Sequence, residues 1–177
     1  MEHTATMEKP AARGAENGER VHRVLFVCTG NTCRSPMAAA VLNDLARPRE
    51  VCSMSEGSEG RAIVASSAGL FAPDGAPMTP EALTALSEAG IVNRPDNNYA
   101  AHRARTVTRA IMEEADEVVA ISASHAMELL MRFPEYASRI FTLSEDVPDP
   151  YGHGQETYRR CLAALRRLIA ARWDFPA

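Results

Sequence analysis

The sequence predicts an α/β fold, a small doubly wound parallel sheet of four strands in the order 2-1-3-4 with helices on both faces. Short apolar runs alternate with segments of helical periodicity from residue 21 onwards, which implies parallel strands joined by helices. A chain of 177 residues with 46% hydrophobic residues is sufficient for one domain with a buried core. In such a sheet, ligands bind at the carboxyl ends of the strands, beside the switch in strand order.

The first half of the chain contains two of these strands and two helices. The apolar run from Val24 to Val27 indicates a buried strand, and apolar residues four positions apart from Met37 onwards indicate a helix. The predicted elements are a strand at Val21–Cys28, a helix at Arg34–Ala46, a surface loop with Cys52 at Arg47–Gly60, a strand at Ala62–Ser67 and a capped helix at Thr79–Gly90.

The second half alternates in the same way and ends in an amphipathic helix. Tyr158, Leu162, Leu165 and Ile169 recur at helical spacing and define its apolar face. The predicted elements are an irregular segment at Asn93–Ala101, a helix at Val107–Ala115, a strand at Glu117–Ile121, a helix at Ser124–Phe133, a strand at Arg139–Leu143 and a helix at Gln155–Arg172.

Composition and charge exclude several classes of function. The net charge of −4 predicts no general attraction to nucleic acid or to an anionic membrane. Lys9 is the single lysine, which argues against Schiff-base chemistry and against a lysine-bearing nucleotide loop. Residues 1–20 are polar and contain no signal-peptide run, so we expect a disordered tail before one domain at 21–177, in a cytoplasmic protein.

The four cysteines, Cys28, Cys33, Cys52 and Cys161, are too few and too scattered for a disulfide scaffold. They also lack a second Cys or His pair at zinc-ligand spacing, so neither a metal nor another cofactor is predicted. We therefore expect the cysteines to be free thiols in a reducing compartment.

The loop between the first strand and the first helix, Cys28-Thr-Gly-Asn-Thr-Cys-Arg34, is suited to binding a phosphate. Inward-pointing amides form an anion-binding nest, and the helix N-terminus adds about half a positive charge. Arg34 supplies two parallel donors, and Gly30 permits backbone angles that other residues resist. The same field favours the thiolate form of Cys28, which predicts a nucleophile directly below the phosphorus.

The run from Val27 to Pro36, Val-Cys-Thr-Gly-Asn-Thr-Cys-Arg-Ser-Pro, resembles the phosphate loop of the low-molecular-weight protein phosphatases. The likeness extends from Val24 to Leu168 and includes Ser66-Ser-Ala-Gly69 and Asp149-Pro-Tyr151. It implies a doubly wound fold, no cofactor, phosphorylated proteins as partners and a phosphocysteine intermediate. The oligomeric state stays open.

The resemblance also assigns roles to residues. Cys28 is the implied nucleophile, Asp149 the general acid and then base, and Ser35 the hydroxyl that assists departure of the thiolate. The phosphate-binding set is Thr29, Gly30, Asn31, Thr32, Cys33 and Ser35 beside Arg34, with Ser67, Tyr151 and His102 in support. An Asp-Pro pair such as Asp149-Pro150 is also a common turn. Asp146 and Asp74 are therefore rival candidates for the acid.

Thr32 bears on the substrate. Tyrosine-specific members of the family often carry a bulky aliphatic residue there, whereas the arginine-phosphatase branch carries threonine. A hydroxyl suits a guanidinium group, so the sequence favours phosphoarginine on proteins, with phosphotyrosine as the alternative. The single aromatic residue in Tyr151-Gly152 favours the same branch.

Two other classes of function remain as remote alternatives. A thioredoxin-coupled arsenate reductase needs two further relay cysteines, and only Cys52 and Cys161 are left for that purpose. A non-catalytic phosphate-binding module would not need both Cys28 and Asp149. We further hypothesise that Cys33 traps oxidised Cys28 as a disulfide.

Overall fold

A computed structural model describes residues 21–47 and 62–176 of the chain and contains the predicted four-stranded sheet. The strands are β1 (His22–Cys28), β2 (Ile63–Gly69), β3 (Glu117–Ala120) and β4 (Ile140–Thr142). Every pairing is parallel, and the order is β2-β1-β3-β4. Fold class and strand order are therefore confirmed.

Five α-helices connect and cover the strands. Their bounds are α1 (Arg34–Leu45), α2 (Pro80–Glu88), α3 (Arg109–Glu114), α4 (Ala123–Arg132) and α5 (Gln155–Arg172). Short 3-10 helices occupy Tyr99–Ala101, within the segment predicted to be irregular, and Pro134–Arg139, where none was predicted.

Most of the other boundaries differ from the prediction by one or two residues, and two of these differences have clear local reasons. Helix α3 begins at Arg109, two residues late, because Val107 is buried and the Thr108 hydroxyl accepts a hydrogen bond from Ile111 N–H as the N-cap. Strand β2 continues two residues further, to Gly69, because Gly69 still pairs with Cys28 on β1.

Helices cover both faces of the sheet, and β1 is buried between two apolar clusters. Val24, Phe26 and Cys28 point into one cluster, which includes residues of α1, α2 and α5. Leu25 and Val27 point into the other, with residues of α3 and α4. The alternation follows from the two-residue period of a strand. It places Cys28 at the carboxyl end of β1, whose last five residues are all buried.

The outer edge of β2 is covered by polar groups instead of another strand. The side-chain amide of Asn43 donates to the Ala65 carbonyl at 3.0 Å and accepts from its N–H at 2.7 Å. Beyond it, Gly69 N–H donates to the Arg105 carbonyl at 2.9 Å. These contacts bring the segment that contains His102 and Arg105 next to the loop that follows β1.

The predicted tail at 1–20 and most of the predicted loop at 47–60, including Cys52, lie outside the described residues. Among the helices that the structure does describe, none is long and apolar enough to cross a membrane.

Candidate active site

The loop predicted to bind phosphate connects the carboxyl end of β1 to the N-terminus of α1. Cys28 is its first residue and Arg34 its last, and both are buried. Beside the loop is a cavity of about 490 Å³. Of the predicted site residues, Cys28, Thr29, Gly30, Asn31, Thr32, Cys33, Arg34, Asp149 and Tyr151 line this cavity.

Two donors surround the sulfur of Cys28. Its Sγ lies 3.0 Å from Ser35 Oγ, and the N–H of Asn31 donates to it at 3.4 Å. The first turn of α1, which includes Ser35, is directed at the same site, so the positive end of the helix dipole faces the sulfur. These groups all stabilise negative charge on Cys28.

Asn31 holds the middle of the loop in a strained conformation. Its φ is 56°, in the left-handed region, and its side chain is completely buried. Its side-chain amide donates to Ser35 Oγ at 3.0 Å and to Ser67 Oγ at 2.9 Å, and its Oδ1 accepts from Arg105 N–H at 3.0 Å. These bonds offset the backbone strain and join the predicted supporting residue Ser67 to the loop.

His102 completes this network from outside the cavity. Its Nε2 lies 2.8 Å from the Asn31 carbonyl oxygen, and because a carbonyl only accepts, Nε2 carries the proton. Burial lowers the pKa of His102, the bond to Asn31 opposes this effect, and Arg105 and Arg103 lower the pKa further. His102 is therefore a neutral donor to the loop near pH 7.

Arg34 and Asp149 face each other across the mouth of the cavity. Arg34 Nη2 donates to Asp149 Oδ2 at 2.6 Å, and Arg34 Nη1 donates to the Val147 carbonyl at 3.4 Å. The Asp149 side chain remains 51% exposed, and its Oδ1 accepts from Tyr151 N–H at 3.2 Å. The Tyr151 N–H therefore orients the carboxylate, and its exposed part is accessible to an incoming ligand.

The two rival aspartates have other partners. Asp146 Oδ1 accepts from Ala123 N–H at 2.8 Å, at the N-terminus of α4. Asp74 Oδ1 accepts from the N–H of Thr106 at 2.6 Å and from its hydroxyl at 3.0 Å. Of the three candidates, only Asp149 forms an ion pair with Arg34.

Cys33 lies among hydroxyl groups from three elements. Its Sγ is 3.4 Å from Tyr158 Oη on α5, 3.5 Å from Thr79 Oγ1 and 3.7 Å from Thr32 Oγ1. Burial raises the pKa of Tyr158, and the bond to Cys33 adds to this effect. The sequence identified Tyr158 only as part of an apolar face, since a buried hydroxyl leaves no trace in periodicity.

His125 is the site residue that sequence reasoning missed. It is buried in the first turn of α4, and its Nε2 lies 2.9 Å from Thr29 Oγ1. Its position shortly after β3 could have indicated that it lies near the site, because the carboxyl ends of neighbouring parallel strands meet at one edge of the sheet.

A cysteine and an arginine that close an anion-binding loop at the carboxyl end of a parallel sheet, opposite an aspartate, define a cysteine-dependent phosphatase. The family model described as low molecular weight phosphotyrosine protein phosphatase matches residues 23–171, and the chain belongs to this family.

Relatives within the family carry two different names. A protein-arginine-phosphatase of Geobacillus stearothermophilus is 36% identical over 84% of this chain and 91% of its own length. The crystal structure of a low molecular weight protein tyrosine phosphatase from T. tengcongensis is 39% identical, with a TM-score of 0.73, over 86% of this chain and 98% of that chain. An arginine phosphatase structure, a Cys-to-Ser mutant with a phosphorylated active-site serine, is 34% identical over 83% of this chain and 90% of its own, with a TM-score of 0.69.

Proposed function

We propose that the protein is a protein phosphatase that transfers a phosphoryl group from a phosphorylated protein to Cys28 and then to water, with phosphoarginine as its preferred substrate. The observation that carries the proposal is the arrangement of Cys28 Sγ, Arg34 and Asp149 around one cavity. The phosphorylated serine in the related mutant structure supports a covalent intermediate at the equivalent of Cys28.

In the first step, the thiolate of Cys28 attacks phosphorus, and a sulfur–phosphorus bond forms as the bond to the leaving nitrogen or oxygen breaks. Arg34 and the loop amides hold the three equatorial oxygens, where the transition state concentrates charge. Asp149, in its protonated form, delivers a proton to the leaving atom.

In the second step, water attacks phosphorus and the sulfur–phosphorus bond breaks. The Asp149 carboxylate takes a proton from that water, which restores the acid for the next cycle. The hydroxyl of Ser35, 3.0 Å from Cys28 Sγ, donates to the departing thiolate and stabilises it. No step requires a metal ion, since Arg34 and the amides supply the positive charge.

The preference for phosphoarginine rests on the walls of the cavity. Thr32 places a hydroxyl there, and Asp149 adds a negative charge that complements a guanidinium group. The Geobacillus relative carries the name of an arginine phosphatase. Phosphotyrosine is the second candidate, because Tyr151 is 66% exposed at the rim as a surface on which a substrate ring stacks.

A relay of the arsenate-reductase kind is disfavoured by Cys161. This thiol is buried on α5, and burial raises its pKa to about 12, which suppresses its reactivity. The other described cysteines, Cys28 and Cys33, are free thiols, and the proposed reaction needs Cys28 reduced, so we propose that the protein acts in the cytoplasm.

The decisive experiment compares kcat/KM on matched phosphoarginine and phosphotyrosine peptides, for the wild type and for Cys28→Ser. We expect both activities to disappear in Cys28→Ser, and the wild type to favour phosphoarginine. Residual turnover in Cys28→Ser comparable to the wild type would refute the proposed nucleophile. A wild type that binds phosphate but hydrolyses neither peptide would instead indicate a binding module.

A further inference from the structure

The phosphate loop is held at two separate points. On one side, Asn31 bonds to Ser35, Ser67 and Arg105 and lies under His102. On the other side, the hydroxyl of Thr29 contacts the ring of His125. Between Thr29 and Asn31 stands Gly30, where an added Cβ would meet only Thr32 Oγ1, at 3.7 Å. The half of the loop that contains Thr29 is thus anchored by His125, and the half that contains Asn31 is anchored by Ser35, Ser67 and Arg105.

The half next to the nucleophile has fewer contacts than the half around Asn31. The carbonyls of Cys28 and Thr29 accept from the N–H groups of Leu70 and Phe71, each at 2.9 Å. The described side-chain contact of Thr29 is the one to His125 Nε2, at 2.9 Å. Because Thr29 directly follows Cys28 in the chain, a displacement of the Thr29 backbone also displaces the nucleophile and the adjoining loop amides.

His125 is itself fixed in place. Its ring is 6% exposed, and its Nδ1 lies 2.7 Å from Oγ of Ser122, the N-cap of α4. The same Oγ accepts from His125 N–H at 3.4 Å and lies 2.9 Å from Ser124 Oγ. With both ring nitrogens engaged and the ring enclosed, the side chain has one orientation, which is the requirement for a group that orients another.

The N-terminus of α4 also contacts the segment that carries Asp149. Ala123 N–H donates to Asp146 Oδ1 at 2.8 Å, and Val147 N–H donates to the Ile121 carbonyl at 3.3 Å. Hydrogen bonds and the backbone at residues 121–123 thus connect Thr29 to Asp146 and Val147, which lie three and two residues before Asp149.

Burial, assisted by the charge of Arg34, keeps the ring of His125 neutral near pH 7. Burial lowers the pKa of His125, Arg34 lowers it further, and Asp149 and Asp146 act in the opposite direction. A neutral imidazole offers one donor and one acceptor, which match the two hydroxyl groups that it contacts. His125 therefore orients these two hydroxyl groups and does not contribute a positive charge to phosphate binding.

We infer that His125 is a positioning residue for the proposed phosphatase reaction, which holds Thr29, and through it Cys28, in register with the segment that carries Asp149. The inference rests on the proposed function. Loss of the contact removes the side-chain anchor of Thr29 and lets its backbone shift, which misplaces the nucleophile in the transition state more than it weakens ground-state binding of the substrate.

Conservative substitutions at both ends of the contact test the inference. His125→Leu removes both ring nitrogens at similar volume, whereas His125→Gln keeps a polar group within reach of Thr29. Thr29→Val and Thr29→Ser form the matching pair at the other end. Met127→Gln serves as the control, since Met127 lies on the same helix but is 67% exposed.

We expect His125→Leu and Thr29→Val each to lower kcat on an aryl phosphate about tenfold with KM nearly unchanged. The double variant should lose no more than either single variant, because both remove one contact. His125→Gln and Thr29→Ser should recover most of the rate. Inhibition by vanadate, which mimics the transition state, should weaken in His125→Leu more than inhibition by phosphate does.

Three results would overturn the inference while leaving the phosphatase activity intact. These are a wild-type rate in folded His125→Leu, additive losses in the double variant, and equal losses in His125→Leu and His125→Gln. Thermal unfolding of each variant separates a misfolded protein from a misplaced loop. Absence of hydrolysis in the wild type itself, with phosphate binding retained, would instead refute the proposed function.

Discussion

Arg34 Nη2 lies 2.6 Å from Asp149 Oδ2, so the proposed phosphate clamp and the proposed general acid form an ion pair in the free protein. Arg34 is buried and Asp149 is half exposed, so we expect the carboxylate to be the partner that moves when a phosphoryl group enters. The substrate then replaces one anion on Arg34 by another. This exchange leaves Asp149 beside the leaving atom, where a proton is needed.

Asp149→Asn removes the acid but keeps the size of the side chain. We expect kcat to fall by ~10²–10⁴-fold, the usual contribution of general acid–base catalysis. The control is Asp74→Asn, because Asp74 binds Thr106 outside the cavity; it should keep kcat within a few-fold. Steady-state kinetics on an aryl phosphate measure both, and equal losses in the two variants would rule out the assignment.

Thr32→Ile replaces the hydroxyl in the cavity wall by an aliphatic group. We expect the ratio of kcat/KM for phosphoarginine to that for phosphotyrosine to fall about tenfold or more, since the guanidinium loses a polar neighbour and a ring gains an apolar one. Thr32→Ser, which retains the hydroxyl, should keep the wild-type ratio. The reading of Thr32 as a specificity residue fails if Thr32→Ile lowers both activities equally.

Gly69, the last residue of β2, packs closely against the phosphate loop. A Cβ there would lie 2.6 Å from the Thr29 carbonyl oxygen and 3.1 Å from the Cβ of Asn31. Gly69→Ala should therefore lower the free energy of unfolding by about 1–3 kcal/mol and displace the loop. Gly154→Ala is the control, because nothing lies within 4 Å of that position. Urea unfolding and phosphate inhibition constants test both effects, and a fully active Gly69→Ala would contradict them.

The sequence was sufficient for the sheet because its strands are short, apolar and separated by clear helical segments. Val24 to Val27 is buried on both faces, as its uninterrupted apolar run predicted. The phosphate loop was predicted for the same reason, since its residues are contiguous. Local signals therefore located the strands and α-helices to within two residues but missed the 3-10 helix at Pro134–Arg139.

Contacts between distant residues were not predictable in the same way. Asn31 and Arg105 are 74 positions apart, and Thr29 and His125 are 96 positions apart. Nothing in periodicity or composition pairs such residues, because the pairing depends on which strand ends adjoin in space. The N-cap role of Ser122, three residues before His125, shows how one serine signals a helix start without revealing what the next histidine contacts.

Cys33 provides a test of reversible oxidation. Peroxide converts the Cys28 thiolate to a sulfenic acid, and attack by the Cys33 thiol forms a disulfide with release of water. We expect wild-type activity to return after treatment with a thiol reductant, and Cys33→Ala to stay inactive through over-oxidation. Cys161→Ala is the matched control, a second buried thiol that should leave recovery unchanged. Mass spectrometry that finds no bond between Cys28 and Cys33 would refute the hypothesis.

Stability should fall in mild acid because the buried His125 and the half-buried His102 must take up protons. Burial holds the pKa of His102 and of His125 below the ordinary value of 6.5, which the unfolded chain regains. Between the lowered and the ordinary values, the unfolded state binds more protons than the folded state, so the free energy of unfolding rises with pH. The contribution is complete above about pH 6.5 and is lost as the pH falls through the lowered folded values.

Urea unfolding between about pH 7.5 and about pH 5 measures this dependence, before most carboxylates titrate. His102→Gln and His125→Gln each remove one titrating ring, so each should flatten part of the slope. The two effects should add, because the rings bond to different residues of the loop, Asn31 and Thr29. A wild-type slope in both glutamine variants would mean that other groups destabilise the protein in acid, and that neither histidine is held neutral by its surroundings.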